Sequence, residues 1–168
     1  MAFGDYLKNA GRVLREIINP NSTNGDIVYT LRRICQILDN EECKYTFLES
    51  DDGTPSSDIV FKLEKDEDCC KDVLLVISID ETLMSFKSFM EEFEIDKSKI
   101  PDALLFCNTW NLEHYMPKAC VSEDNIVFTS WCNAITGEVS DEYIKDYMIF
   151  AYAKLSWQFF CDFTKEFY

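Results

Sequence analysis

Only one histidine, His114, occurs in the 168 residues, so chemistry that needs an imidazole base has a single place to begin. A zinc centre has even less to build on. Cys35, Cys43, Cys69, Cys70, Cys107, Cys120, Cys132 and Cys161 contain no CxxC pair to join that histidine. Glycine is scarce, at five, and neither GxxxxGK nor GxGxxG occurs, which removes the common phosphate cradles. Basic residues number 16 against 31 acidic, a net charge of −15. A surface of that sign repels phosphate backbones and anionic lipid, so neither nucleic acid nor membrane is expected as a partner. No apolar run reaches the length of a membrane span, and MAFGDYLKNAGRVLREII lacks the continuous apolar core of a secretory signal. A cytoplasmic chain with reduced thiols is expected. Most cysteines sit among apolar residues as small core fillers, whereas Cys69 and Cys70, inside KDEDCCKD, are expected to be exposed.

What is present is enough for a core. Hydrophobic residues make up 47% and aromatics 14%, and a chain of this length can bury roughly 70% of its unfolded surface. The charge is uneven. Residues 1 to 38 hold five basic and three acidic side chains, net +2, leaving −17 on the remainder. The chain therefore divides into an amphipathic helical arm, 1 to 20, and one α+β domain, 25 to 168. In the arm Phe3, Leu7, Ala10, Leu14 and Ile17 form one stripe, with Lys8, Arg12 and Arg15 opposite. The arm is expected to pack on its own body or on a second copy.

NPNSTNGD breaks the chain, and a helix follows to about Leu38. YTFLE, DIVFKLE and DVLLVISI then read as strands, the last apolar on both faces and hence central. Residues 82 to 95 fit a helix and a strand equally well. SKIPDALLFCNTWNLEHY restarts as a helix with Pro101 in its first turn. KACVSEDNIVFTSW reads as a hairpin turning at SEDN, with Ala119 and Val121 opposite Val127 and Thr129. From Ser140, as N-cap, the chain is helical to its end.

No catalytic constellation emerges, and no cofactor is expected. His114 lacks a local nucleophile signature and reads as an ordinary helix-end residue. Asn108 and Asn111, i and i+3 on one helical face, could hold a polar ligand, but such amides more often tie a helix end to backbone. LESDDGTPSSDI misses the calcium-loop register, since Leu48, Ser50 and Ile59 occupy ligand positions.

The stretch NTWNLEHYMPKACVSEDNIVFTS, followed by GEVSDEYIKDYMIFA, resembles the YbjN family, described as bacterial sensory transduction regulators. The residues that carry the likeness are Asn108, Trp110, Asn111, Pro117, Lys118, Ala119 and Asp124, with the terminal helix. The resemblance implies a twisted antiparallel sheet flanked by helices, similar to type III secretion chaperones. It also implies a non-catalytic, chaperone-like or regulatory protein that holds a partner or client polypeptide. The terminal helix, DEYIKDYMIFAYAKLSWQFFCDFTKEFY, is apolar nearly all round, more than one face of a sheet can cover. Tyr143, Phe150, Trp157 and Phe160 are the candidate protein-binding residues, with Trp157 and Phe160 as anchors of a homodimer. The alternative is an acidic inhibitor or immunity-type protein that blocks a basic partner through the ESDD and EKDEDCCKD loops.

Overall fold

The computed structural model describes residues 24–49, 55–80, 83–91, 93–134 and 139–168. The expected arm, 1 to 20, lies outside the described residues. Six strands form one antiparallel sheet in the order β1-β2-β3-β4-β6-β5. They are β1 (Tyr45–Glu49), β2 (Pro55–Leu63), β3 (Val73–Asp80), β4 (Leu83–Met90), β5 (Lys118–Val121) and β6 (Val127–Ala134). The first four are a meander, as the short loops between them require. Helix α1 (Asn24–Asn40) precedes them, and α2 (Ile100–Glu113) sits between β4 and β5. The terminal helix α3 is continuous through α-helical Asp141–Tyr143, π-helical Ile144–Phe150 and α-helical Ala151–Phe167.

The segment that fits both periods is a strand. Met84, Phe86, Ser88 and Met90 bury one face of β4, and Val73 to Asp80 pair with it residue for residue. Length alone would have allowed a helix. The central position of β3 decides against it, because a strand buried on both sides needs a hydrogen-bonding partner along each edge.

The helices share one face of the sheet. Ile34, Ile37 and Leu38 of α1 pack with Ile59, Leu75, Ile77, Phe86 and Tyr152 in a first core cluster. Trp110 and Cys107 of α2 join Phe159, Phe160 and Phe163 in a second. Each fully buried phenylalanine contributes about 1.5–3 kcal/mol, so this aromatic layer dominates the packing. Polar contacts set its register. Arg33 donates to Asp141 and to the Val139 carbonyl, at 2.7 and 2.6 Å, fixing α1 to the start of α3. Tyr152 donates to the Thr129 carbonyl and meets the Ser88 and Thr129 hydroxyls, while Thr129 also bonds Ser156 at 2.9 Å. All four side chains are fully buried.

The hairpin has the expected register, Ala119 opposite Thr129 and Val121 opposite Val127. Its turn closes through Asn125 at φ +62°, a conformation asparagine tolerates, and through Ser122, whose hydroxyl accepts from the Ile126 amide. Ser140 caps α3 as expected, accepting from the Tyr143 amide at 3.1 Å.

Two expectations are corrected. Cys69 is buried, not exposed: its amide donates to Asp66 and its thiol to the Lys71 carbonyl, which turns it inward, while Cys70 stays outside. The terminal helix is covered on a second side within its own chain. Phe106 of α2 meets Phe159, Phe163 and Phe167, and Trp110 meets Phe159, all with ring centroids within 6 Å. Helices lying side by side on one sheet face cover one another, which a count of layers misses.

Candidate protein-binding surface

The motif residues meet at the end of α2. Asn111 donates to the Ala119 carbonyl at 2.9 Å and accepts the Ala119 amide at 2.8 Å. It thereby acts as a strand partner for β5. The Trp110 indole donates to the Pro117 carbonyl at 3.0 Å, and Lys118 donates to the carbonyls of Asn111 and His114 at the helix C-terminus. Positive charge there complements the helix dipole. Pro117 follows a cis peptide bond and is buried. Asn108 is exposed and takes no part in this junction, so the structure does not bring the asparagines together. His114 stacks on Trp110, ring centroids 3.7 Å apart, and its Nδ1 faces the Trp110 carbonyl. The junction joins helix to strand; its groups are spent on backbone.

Among the described residues two groups of outward-facing apolar side chains stand out. The first is a cleft of about 430 Å³ between the end of β2 and α3, lined by Leu63, Glu64, Asp66, Phe150, Ala153, Lys154 and Trp157. Phe150, Ala153, Lys154 and Trp157 stand at i, i+3, i+4 and i+7, one helical face. The π-helical turn upstream brings this about. An extra residue per turn lets Met148 and Ile149 both reach the core, which leaves Phe150 at the cleft and Tyr147 outside. Tyr143 stacks on Tyr147 at 5.3 Å, both exposed. Of the four candidate binding residues, Phe150 and Trp157 thus share the cleft, and Tyr143 stands apart at the start of the helix. Phe160 is corrected: it is 0% exposed, packed edge-on against Phe159. It cannot serve as a surface anchor.

The second place is the outer side of α2. Leu105 is 66% exposed, Leu112 89% and Tyr115, just past the helix, 100%. Leu104 adds to the ridge. Reading the chain by period missed these residues, because α2 is apolar on both sides and so gives no amphipathic signal. Leucines seven apart, on a helix whose Ala103, Cys107 and Trp110 already supply the buried side, were the available clue.

Among the described residues no three His, Cys, Asp or Glu side chains converge as a metal site requires, and no helix is long and apolar enough to cross a membrane. The hydroxyl network around Tyr152 includes no imidazole, amine or carboxylate, and burial pushes the Tyr152 phenol above its ordinary range.

Residues 30–160 match the model of the YbjN family, described as "Putative bacterial sensory transduction regulator". The chain belongs to the YbjN family. This YbjN protein is also similar to a solved structure described as "Crystal structure of YbjN, a putative transcription regulator from E. coli". The TM-score is 0.52 at 14% identity, covering 81% of this chain and 93% of the other. At that identity the likeness concerns the fold alone. No curated protein matches the chain. The family's description names a regulator.

Proposed function

We propose that this YbjN protein is a non-catalytic regulator that works by binding a protein partner or client polypeptide through apolar surface. The observation that carries the proposal is the α2 ridge. Leu105, Leu112 and Tyr115 hold large apolar side chains in water next to a junction built to keep α2 rigid. Exposed apolar patches with fixed geometry mark contact surfaces. The Phe150–Trp157 cleft is a second foothold, sized for a side chain or two of a partner and flanked by Lys154 and Glu64. The net charge of −15 favours a protein partner over a nucleic acid. A second copy of the chain is one such partner. Isologous contact through the leucine ridge would join two acidic bodies without setting carboxylates against each other.

The test replaces Leu105 and Leu112 with serine. Both side chains point to water, so folding is expected to be retained. Proteins captured on the immobilised chain are identified by mass spectrometry and their affinity measured against both forms. Binding at least tenfold weaker in the variant supports the ridge, in line with the cost of losing central apolar anchors; equal affinity sinks it.

The acidic-inhibitor reading draws on a different feature, the run Glu64 to Asp68, in which all five side chains are exposed. Salt separates the two. Affinity that collapses between low and high ionic strength favours electrostatic blocking, and affinity that holds favours the apolar ridge.

A further inference from the structure

One small residue makes α3 concave where it faces the loop after β2. Phe150 and Trp157 stand two turns apart, about 10.5 Å along the helix axis, and Ala153 between them offers only a methyl group. Leu63 completes the floor of the cleft, whose volume of about 430 Å³ falls within the roughly 300–1,000 Å³ of ligand-binding clefts. The rim is charged, and its two signs are held apart. Glu64 and Asp66 stand on the loop wall and Lys154 on the helix wall, and Lys154 forms no ion pair with either carboxylate.

The loop wall is fixed by its own bonds. One Asp66 carboxylate oxygen accepts the amides of Asp68 and Cys69, at 2.8 and 3.0 Å, and the Lys65 amide donates to Asp72 at 2.7 Å. Asp68 pairs with Lys165 of α3 at 3.9 Å. Buried Cys69 shares a core cluster with Cys161, one helical turn earlier. The loop is thus pinned to α3 just beyond the cleft, so little ordering is left for binding to supply.

We propose, on the footing that this protein is a partner-binding regulator, that the cleft takes a partner segment in which a large apolar side chain stands next to an arginine or lysine. The apolar side chain fills the gap over Ala153 between the two aromatic rings. The cation lies towards Glu64 and Asp66. Two carboxylates against one amine at the rim favour a cation there, and a body of net charge −15 draws basic segments and repels acidic ones. Arginine has a further advantage, because its guanidinium can lie over the face of a tryptophan. Lys154 repels the cation from the helix wall and so sets the direction in which the segment lies.

Three acetylated, amidated peptides test this selection: Gly-Arg-Leu-Gly, Gly-Glu-Leu-Gly and Gly-Arg-Ser-Gly. Each is titrated into the isotope-labelled full chain. The Trp157 indole N–H resonance, identified by its loss in Trp157→Phe, reports occupancy of the cleft. The arginine–leucine peptide is expected to move it with an affinity at least about fivefold above the other two. Glu64→Lys, at an exposed position, should weaken that peptide by a similar factor, and Lys154→Glu should strengthen it. A Trp157 resonance that stays still, or that moves equally with the glutamate or the serine peptide, overturns the proposal. So does unchanged affinity in Glu64→Lys. The wider reading fails separately. A partner that is lost with Leu105→Ser and Leu112→Ser while the cleft answers to no peptide overturns the cleft assignment alone.

Discussion

Asn111 does with one amide what a strand does with its backbone, donating to and accepting from Ala119 at the edge of the sheet. The sequence pattern pointed to a helix-to-backbone tie at Asn108 and Asn111; only Asn111 makes one. Replacing Asn111 with leucine leaves a carbonyl and an amide of β5 unanswered, which should cost about 2 kcal/mol. The expected result is a Tm roughly 4–8 °C lower; an unchanged melting curve would show that the clamp carries no stability. His114, by contrast, contributes a ring stacked on Trp110 and a contact to the Trp110 carbonyl of its own helix. The cysteines divide by burial. Burial pushes Cys107 and Cys161 from the ordinary 9.0 up to about 12, with their neighbours Cys120 and Cys69 reinforcing the rise. The folded state therefore prefers the neutral thiol at both. The stability this adds is whole below pH 9 and is lost as pH rises from there towards 12, because the unfolded chain ionises first. Alkylation at neutral pH should mark Cys70 and Cys132 quickly and leave Cys107 and Cys161 intact until the protein unfolds. Peptide mapping of the labelled thiols checks both statements.

Among the elements, β4 and α3 depend on each other. Residues 82 to 95 fit both periods, with Phe86, Phe89, Met90 and Phe93 at helical spacing and Met84, Phe86, Ser88 and Met90 at strand spacing; pairing with β3 on one edge and β6 on the other makes Leu83–Met90 a strand. Ser88 and Thr129 are small polar residues that the strand period places on the apolar face of β4 and β6. They are fully buried because Tyr152 and Ser156 come down on them from α3. Tyr152→Phe keeps the ring and deletes the hydroxyl shared by that network. A loss of about 1–3 kcal/mol is expected, since Ser88 and the Thr129 carbonyl are then buried with one partner fewer. Chemical denaturation should show a lower midpoint at unchanged slope. A midpoint equal to that of the unaltered protein would mean that the hydroxyls merely fill space. Only the tertiary contact identifies these residues, because nothing in a strand pattern marks a buried serine for a partner 64 positions away.

At the scale of the molecule, the surplus apolar circumference of α3 pointed to a dimer through Trp157 and Phe160. Part of that surplus is taken up by α2, which meets Phe159, Phe163 and Phe167, and Phe160 is buried in the same core cluster. Self-association, if it is the mode of action, is therefore expected at the α2 ridge. Sedimentation should give twice the 19.6 kDa chain mass for the unaltered protein and the single mass for Leu105→Ser with Leu112→Ser. A monomer in both leaves the ridge to a different partner and ends the dimer reading. The aromatic pair Trp157 and Phe150 then needs its own test. In the unaltered protein a partner peptide entering the cleft should shift the tryptophan emission, and Trp157→Ala should abolish that shift.

The sequence by itself determined the fold class, nearly every element and the hairpin register. Those follow from local rules: period-two and helical patterns, a proline in a first turn, a serine at an N-cap and an asparagine at a tight turn. It also determined the family, through the residues around Asn108, Trp110, Asn111 and Pro117, of which the last three form the α2–β5 junction and Asn108 stands exposed outside it. What only the tertiary structure decided is which apolar residues remain in water. Phe160 and Leu105 are alike on paper, each one of several large side chains on a helix apolar all round. One is sealed beside Phe159 and the other faces solvent, because α2 turns its Ala103, Cys107 and Trp110 side inward against the second core cluster. Exposure is a property of neighbours, and neighbours from distant parts of the chain are set by packing, which no local period records.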